Sequence, residues 1–186
     1  MITRITAGAV LAVVAITAAA RPPSAAVERW RGLVEQQVGI VWGNDQYVAL
    51  TGAQIERESS GNPAARSPAG ACGLMQIMPA TGRELQQRYK RIRGHCREPT
   101  WSIAMGVRYT HVMYKTQARQ ARDLCEQWRR TFGAYNYGPG NMRRLLRKYG
   151  GNWLQHAPRE TRHYMTILKR EHAFIAAGWP GITTCP

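Results

Sequence analysis

The chain reads QIERESSGNP over residues 54–63 and ACGLMQIMPAT over residues 71–81. The first stretch is typical of a helix that stops just after the carboxylate of Glu58. Gly, Pro, Ser and Ala are frequent between the two stretches, so we predict a loop over residues 60–73. This arrangement can hold Glu58 half-buried at the floor of a cleft, where a carboxyl group stays protonated near neutral pH and serves as an acid.

Glu58 and Glu56 are expected on different faces of this helix. Thr51, Gln54 and Ile55 share the face of Glu58, which packs inward, whereas Glu56 lies on the opposite side and should be solvated. Burial and the carbonyl groups at the helix C-terminus both disfavour a negative charge on Glu58. Helical position alone still favours an ordinary surface glutamate, so the assignment of an acid depends on further motifs.

Composition is compatible with one globular domain. The 186 residues suffice for a single hydrophobic core. Lys and Arg number 26 against 11 Asp and Glu, a net charge of +15. Such a surface favours a polyanionic partner, which can be nucleic acid, an anionic membrane or a cell-wall polymer. Only two Asp and nine Glu are present, so candidates for acid chemistry are few.

The spacing of apolar residues predicts a mainly α-helical fold. One apolar stripe, formed by Val27, Trp30, Val34, Val38 and Val41, ends at residues 43–45. Further helices are predicted over residues 46–59, 79–90, 102–119, 123–135, 141–149 and 158–177, with a turn over 136–140. No convincing alternating strand is present, which leaves an all-α fold or an α fold with a minor hairpin.

A short apolar segment lies at the N-terminus. Residues 5–20 carry no charge and are rich in small side chains. The segment is short and weakly hydrophobic for a spanning helix. It fits a secretory signal with an A-x-A site at residues 18–20, and the alternative is a buried core helix. We expect export from the cytoplasm, whether or not the segment is cleaved.

The cysteines and histidines indicate disulfides rather than a metal site. Cys72, Cys96, Cys125 and Cys185 form no CxxC pair. An even number in an exported chain indicates up to two disulfides, and all three pairings remain open. The histidines show no ligand spacing such as HExxH. We therefore expect no metal and no cofactor.

Four motifs occur in a set order along the chain. They are Glu58-Ser59 with Asn62-Pro63, then Gly73-Leu74-Met75-Gln76, then Ala134-Tyr135-Asn136, and last Glu160-Thr161-Arg162-His163-Tyr164. Over about residues 46–177, this order resembles the catalytic signature of the soluble lytic transglycosylases, the SLT family. The resemblance implies a single, mainly α, lysozyme-like domain with at most a minor β-hairpin, preceded by a short N-terminal hydrophobic helix.

The resemblance implies that Glu58 is the sole catalytic acid and base. It would protonate the oxygen linking MurNAc to GlcNAc in peptidoglycan, and would then take the proton of the MurNAc C6 hydroxyl. That hydroxyl attacks C1 and leaves a 1,6-anhydro end. The chain offers no obvious second acid of the kind that an ordinary two-carboxylate glycosidase requires. A catalytic role for Glu160 remains open, although the family places the motif that contains it in a structural or cleft-lining role.

The other motif residues are expected to bind substrate. Ser59 and Gln76 would hydrogen-bond the carboxylate or the sugar, and Met75 would pack against the sugar face. The remaining three, Tyr135, Asn136 and Tyr164, would line the cleft and hold substrate amides. Core packing or helix capping is the alternative for each residue. A disulfide at Cys72 would tether the loop that carries the Gly73-Leu74-Met75-Gln76 motif.

Three functions compete at this point. The first is a lytic transglycosylase, and the second is a hydrolytic lysozyme (muramidase) of the same fold. The third is a non-catalytic basic module that binds membrane or nucleic acid through Arg-rich helices such as residues 143–148. The export segment argues against nucleic acid, and the third function leaves the ordered motifs unexplained.

The N-terminal segment also resembles the signal-arrest-release segments of certain phage endolysins. We divide the chain into a signal peptide or signal-anchor helix over 1–22, a linker and first amphipathic helix over 23–45, an SLT-type catalytic domain over 46–180, and a tail over 181–186. The expected partners are peptidoglycan glycan strands and the inner membrane. We expect a monomer in the periplasm, or one anchored in the inner membrane and facing the periplasm.

Overall fold

The computed structural model describes residues 21–117 and 119–185. The helix expected over residues 5–20 lies outside this part of the chain. Within the described ranges, no helix combines the length and the apolar character that crossing a bilayer requires.

The described residues form a helical fold, which confirms the mainly α prediction. Its elements are α1 Ala25–Glu28, α2 Arg31–Trp42, α3 Val48–Ser59, α4 Pro79–Arg88, α5 Pro99–Gln117, α6 Leu124–Tyr137, α7 Pro139–Tyr149, a 3-10 segment Gly150–His156, α8 Arg159–Tyr164 and α9 Thr166–Ala176. Strand-like pairing among these residues is limited to isolated bridges of Cys72 with Arg66 and with Ile77.

Several helix boundaries differ from the prediction. Helix α5 begins at Pro99 rather than at residue 102, and α7 begins at Pro139 rather than at residue 141. Two further differences have local reasons. Helix α6 continues through Asn136 to Tyr137, because Gly138, at φ 87°, is the first residue to leave the helix. The helix predicted over 158–177 is broken at Met165 into α8 and α9. There the amide of Met165 bonds the carbonyl of Arg162, and the amide of Leu168 bonds that of Met165. These i,i+3 bonds tighten the turn and redirect the chain.

One hydrophobic core joins the two ends of the described chain. Helix α3 packs against α2 and α9, and α5 packs against α2, α4, α6 and α7. Val27, Val34 and Val38 of the first two helices are fully buried in this core. Residues 25–42 are therefore part of the same folded unit as the segment that begins at residue 46.

Two disulfides select one of the three possible pairings. Cys72 bonds Cys96, and Cys125 bonds Cys185. The second bond ties the start of α6 to the C-terminal tail. Glu171 also holds the tail, since its Oε2 accepts hydrogen bonds from the amide and the hydroxyl of Thr184 at 3.2 and 2.7 Å.

Gly52 of α3 faces the aromatic rings beside α9, and a side chain there should be costly. An added Cβ would lie 2.5 Å from Cζ3 of Trp179 and 2.6 Å from Cε1 of Phe174. We expect Gly52→Ala to lower the free energy of unfolding by about 2–3 kcal/mol, because both rings are buried and have little room to move.

Gly39→Ala is the matched control for this change. An added Cβ at Gly39 meets nothing within 4 Å. Since Ala is the better helix former, this change should stabilise the protein by about 0.5–1 kcal/mol. Urea unfolding measures both variants, and a Gly52→Ala protein as stable as the parent would contradict the close packing of α3 on these rings.

Candidate active site

The four sequence motifs meet at one cleft. A cavity of about 530 Å³ opens beside the C-terminal end of α3. Its walls come from α3, the loop that follows it, the end of α6 and helix α8. Its lining includes Arg57, Glu58, Gln76, Met78, Tyr135, Asn136, Glu160 and Tyr164. The structure thus brings together five of the seven residues that the motifs proposed for the site, namely Glu58, Gln76, Tyr135, Asn136 and Tyr164.

A chain of hydrogen bonds orients Glu58. The hydroxyl of Tyr164 donates to Oε1 of Glu58. The same hydroxyl accepts from Nε2 of Gln54 at 3.3 Å, and Oε1 of Gln54 accepts from the hydroxyl of Thr110 at 3.2 Å. Gln54 and Tyr164 are both buried, so this chain positions the carboxyl group from inside the protein.

Burial raises the pKa of Glu58 from 4.5 to about 7. The hydrogen bond from Tyr164 and the charge of Arg57 oppose this rise, whereas the charge of Glu160 adds to it. Burial also raises the pKa of Tyr164, which therefore remains a hydrogen-bond donor. Near neutral pH, Glu58 therefore exists in both protonation states. A group that must both donate and accept a proton needs both states.

The side chain of Glu56 is largely buried, and the prediction that it would be solvated is wrong. Its side chain is only 13% exposed, because α9 covers that face of α3. Arg170 binds both carboxylate oxygens of Glu56, with Nη2 3.0 Å from Oε1. The same guanidinium donates to the carbonyls of Arg21 and Pro22. Glu56 thus joins α3, α9 and the residues that enter α1.

The loop between α3 and α4 is held from several sides. The hydroxyl of Ser59 donates to the carbonyls of Ile55 and Leu74 at 3.2 and 2.9 Å. The hydroxyl of Tyr135 donates to the carbonyl of Met75 at 2.7 Å. At Gly73, where φ is +79°, an added Cβ would lie 1.7 Å from the carbonyl oxygen of Cys96. Only glycine fits this contact.

The structure corrects the expectations for Met75 and Ser59. The Met75 side chain is 0% exposed and fills the space left by Gly106, so it cannot reach a sugar in the cleft. The Ser59 hydroxyl bonds main-chain carbonyls instead of the Glu58 carboxylate. Both residues fix the shape of the loop rather than line the cleft.

Met78 takes the position that was expected for Met75. Its side chain is 42% exposed and lines the cleft. The sequence signal was its place directly before Pro79, which is the first residue of α4. Met78 has the extended backbone of an N-cap position, so its side chain lies outside the helix.

Gln76 and Asn136 are fixed within the cleft wall. Nε2 of Gln76 donates to the carbonyls of Gly73 and Ala65 at 3.0 and 3.3 Å, and the backbone of Gln76 has a φ of 43°. Left-handed backbone at a non-glycine residue is a feature of functional sites. Oδ1 of Asn136 accepts from the Thr161 hydroxyl at 2.8 Å, and its Nδ2 lies 3.5 Å from Oε1 of Glu160.

Comparisons with known proteins find similar sequences. The transglycosylase SLT domain matches residues 45–155. The soluble lytic murein transglycosylase of Salmonella typhimurium is 34% identical over 113 residues, which cover 59% of this chain and 16% of that protein. The endo-type membrane-bound lytic murein transglycosylase A of Klebsiella pneumoniae is 38% identical over 88 residues, which cover 43% of this chain and 41% of that protein.

A solved structure shares the fold. The 70 kDa soluble lytic transglycosylase of Escherichia coli is similar with a TM-score of 0.68 at 25% identity. The match covers 84% of this chain and 26% of that one. The chain therefore spans only a small part of the length of the soluble relatives that it matches.

Proposed function

Because the chain belongs to the transglycosylase SLT domain family, we propose that it is a lytic transglycosylase. It cleaves the β-1,4 bond between MurNAc and GlcNAc in peptidoglycan and leaves a 1,6-anhydro-MurNAc end. One observation carries this proposal. Glu58 has a pKa raised to about 7 by burial, and it lies in a cleft where Tyr164 holds its carboxyl group.

In the first step, Glu58 acts as an acid. Protonated Glu58 gives its proton to the glycosidic oxygen while the bond from that oxygen to C1 of MurNAc breaks. GlcNAc leaves as the alcohol, and positive charge develops at C1. Glu58 is now a carboxylate, and the bond from the Tyr164 hydroxyl becomes stronger because its acceptor is charged.

In the second step, Glu58 acts as a base. The C6 hydroxyl of the same MurNAc attacks C1, and the Glu58 carboxylate takes the proton of that hydroxyl. The new C6–O–C1 bond closes the anhydro ring, and Glu58 returns to its protonated form. No water is consumed, and one carboxyl group performs both transfers because the nucleophile belongs to the substrate.

The remaining cleft residues position the glycan. We propose that Gln76, Tyr135, Asn136 and Tyr164 contact substrate, and that exposed Met78 supplies the apolar surface for a sugar ring. The Tyr135 hydroxyl is already bonded to the loop, so its contribution is the ring and the fixed position of that loop. Ser59 and Met75 act indirectly, through the same loop.

A hydrolytic lysozyme is the second candidate, and Glu160 is the observation that favours it. Glu160 lines the same cleft as Glu58. A second carboxylate can activate a water molecule in an ordinary glycosidase. Digestion of purified peptidoglycan followed by mass spectrometry separates the two activities. Anhydro ends support the transglycosylase, products heavier by one water support the lysozyme, and an undigested substrate contradicts both.

Tyr164→Phe should shift the pH dependence of cleavage. The Tyr164 hydroxyl lowers the pKa of Glu58, so its removal raises that pKa above about 7. We expect the wild-type kcat/KM to fall as pH rises through about 7, because Glu58 must be protonated to act as an acid. In the variant, this fall should occur at higher pH, and kcat should decrease about tenfold.

Tyr149→Phe is the matched control for this experiment. Tyr149 stacks on His156, away from the lining of the cleft. The pH profile of the Tyr149→Phe variant should equal that of the wild type. A Tyr164→Phe profile whose alkaline limb stays in place would contradict the proposed bond between Tyr164 and Glu58.

We also propose that the enzyme works outside the cytoplasm, either for cell lysis as a phage endolysin or for local opening of the wall. Residues 1–22 would serve as a signal peptide or a membrane anchor, residues 46–180 as the catalytic region, and the protein would act as a monomer. The net charge of +15 supports attraction to an anionic envelope. Cell fractionation with N-terminal mass analysis tests this, since a full-length cytoplasmic protein would contradict it.

A further inference from the structure

A second cavity, which shares no lining residue with the cleft, is lined by several arginine side chains. It has a volume of about 570 Å³ and lies between the end of α5, helix α6 and the junction of α7 with the 3-10 segment. Arg119, Arg130, Arg143 and Arg147 line it, together with Gly150 and Gly151. Among the described residues, no Asp or Glu is part of this lining. We call it the arginine cavity.

The basic residues around the arginine cavity are concentrated in one segment of the sequence. Residues 119–152 contain eight Lys or Arg and two acidic residues, a net charge of +6. Helix α7 itself has no acidic residue, and Arg143 and Arg147 lie one turn apart on it. Like charges at this spacing destabilise a helix by about 0.2–0.5 kcal/mol, so folding alone does not explain the arrangement.

The two acidic residues of this region are already engaged. Asp123 caps α6 by accepting a hydrogen bond from the amide of Glu126 at 2.7 Å. Glu126 pairs with Arg130 at 2.8 Å and also accepts from the indole of Trp153 at 3.0 Å. Among the described residues, no carboxylate forms a salt bridge with Arg119, Arg143 or Arg147.

Arginines that line another cavity of this protein are paired with a carboxylate. The cavity between α3 and α9 also contains basic residues, including Arg21 and Arg170. There, Glu56 binds both of these guanidinium groups. In the arginine cavity, Arg130 is paired with Glu126 from outside the lining. Within residues 21–117 and 119–185, no carboxylate pairs with the other three lining arginines, so their positive charge is available to an external anion.

Two of the guanidinium groups are held in place. Nε of Arg119 donates to the carbonyl of Lys115 at 3.2 Å, and Nε of Arg130 donates to Glu126. Their remaining N–H groups keep a defined position, which reduces the entropy lost on binding. At Gly151, an added Cβ would lie 3.3 Å from Nη2 of Arg122, so the absence of a side chain leaves room for the Arg122 guanidinium beside the cavity.

We propose that the arginine cavity binds a phosphate group, presented by an anionic phospholipid. Guanidinium groups match the oxygens of phosphate with paired, charge-assisted hydrogen bonds. Basic clusters also attract anionic lipid surfaces, by about 1 kcal/mol for each Lys or Arg close to the surface. The site would hold the folded domain against a membrane by a contact that is separate from residues 1–22 and from the cleft.

The test compares two double charge reversals with the same net charge. Arg143→Glu/Arg147→Glu alters the arginine cavity. Arg91→Glu/Arg93→Glu alters two exposed arginines outside it. Co-sedimentation with phosphatidylglycerol vesicles, and with phosphatidylcholine vesicles as the blank, measures binding. We expect wild-type protein to bind the anionic vesicles, the cavity variant to lose at least about tenfold in affinity, and the control variant to lose about threefold or less.

A calorimetric titration with inorganic phosphate distinguishes the two sources of the ligand. If wild type and the control variant bind phosphate and the cavity variant does not, the result supports the site. If wild type binds phosphate but does not bind vesicles, the ligand of the site is a free phosphate. Equal losses for the two variants would overturn the proposal, because net charge would then explain the binding. Binding of a short duplex DNA in the absence of vesicle binding would also overturn the proposal. Cleavage of a soluble glycan should be unchanged in both variants, which separates this inference from the proposed activity.

Discussion

Glu58→Gln is expected to abolish turnover of peptidoglycan while the domain stays folded. The amide has the size of the carboxyl group and can still accept the hydrogen bond from Tyr164. It cannot give a proton to the glycosidic oxygen or take one from the C6 hydroxyl. Because both steps depend on this one group, kcat/KM should fall by at least about 10³-fold. Release of soluble muropeptides measures the loss.

Glu160→Gln is the matched control, since Glu160 is the other carboxylate of the cleft. This variant should retain most of its turnover if the nucleophile is the substrate's own hydroxyl. A loss as large as that of Glu58→Gln would instead indicate a two-carboxylate hydrolase. Substantial activity of Glu58→Gln, with intact folding by circular dichroism, would contradict the assignment of Glu58.

Glu58→Gln should also be more stable than the wild type at alkaline pH. Burial raises the pKa of Glu58 from 4.5 to about 7 in the folded protein. Between these values the folded state binds more protons than the unfolded state, so the contribution of Glu58 to stability falls as pH rises. The gain in the variant should be about 1–3 kcal/mol at pH 8 and vanish at pH 4, as measured by urea unfolding.

Loss of the Cys72–Cys96 disulfide is expected to lower both stability and activity. The bond closes a sequence separation of 24 residues, and its loss should cost about 3 kcal/mol in the free energy of unfolding. Cys72 belongs to the loop that places Gln76 and Met78 in the cleft wall. In Cys72→Ser/Cys96→Ser this loop gains freedom, so kcat should fall by about tenfold or more, because small displacements of positioning groups are costly.

The other disulfide provides the comparison. Cys125→Ser/Cys185→Ser opens a sequence separation of 60 residues, and the loss of stability should be about 4 kcal/mol. This bond ties the tail to α6 and does not belong to the cleft lining. Assays well below the melting temperature should therefore give a near wild-type kcat. Equal losses of kcat in the two variants would show that the Cys72–Cys96 bond has no special role in the cleft.

Local patterns were sufficient to find the helices and the motif residues. Apolar spacing placed Val34 and Val38 on the buried side of α2, and the Gly- and Pro-rich loop was expected after Ser59. Sequence patterns did not predict the point at which a helix is interrupted. The break at Met165 depends on i,i+3 bonds that leave no mark in apolar spacing.

The sequence by itself determined a helical chain, the face of α3 on which Glu58 lies, and the order of the motifs that meet around it. These properties depend on neighbours along the chain, which periodicity describes. Only the tertiary structure decided that Arg170 covers Glu56, that Met75 is buried while Met78 lines the cleft, and that Cys72 pairs with Cys96. Each of these outcomes depends on a second element that packs against the first, and spacing along one helix contains no information about that partner.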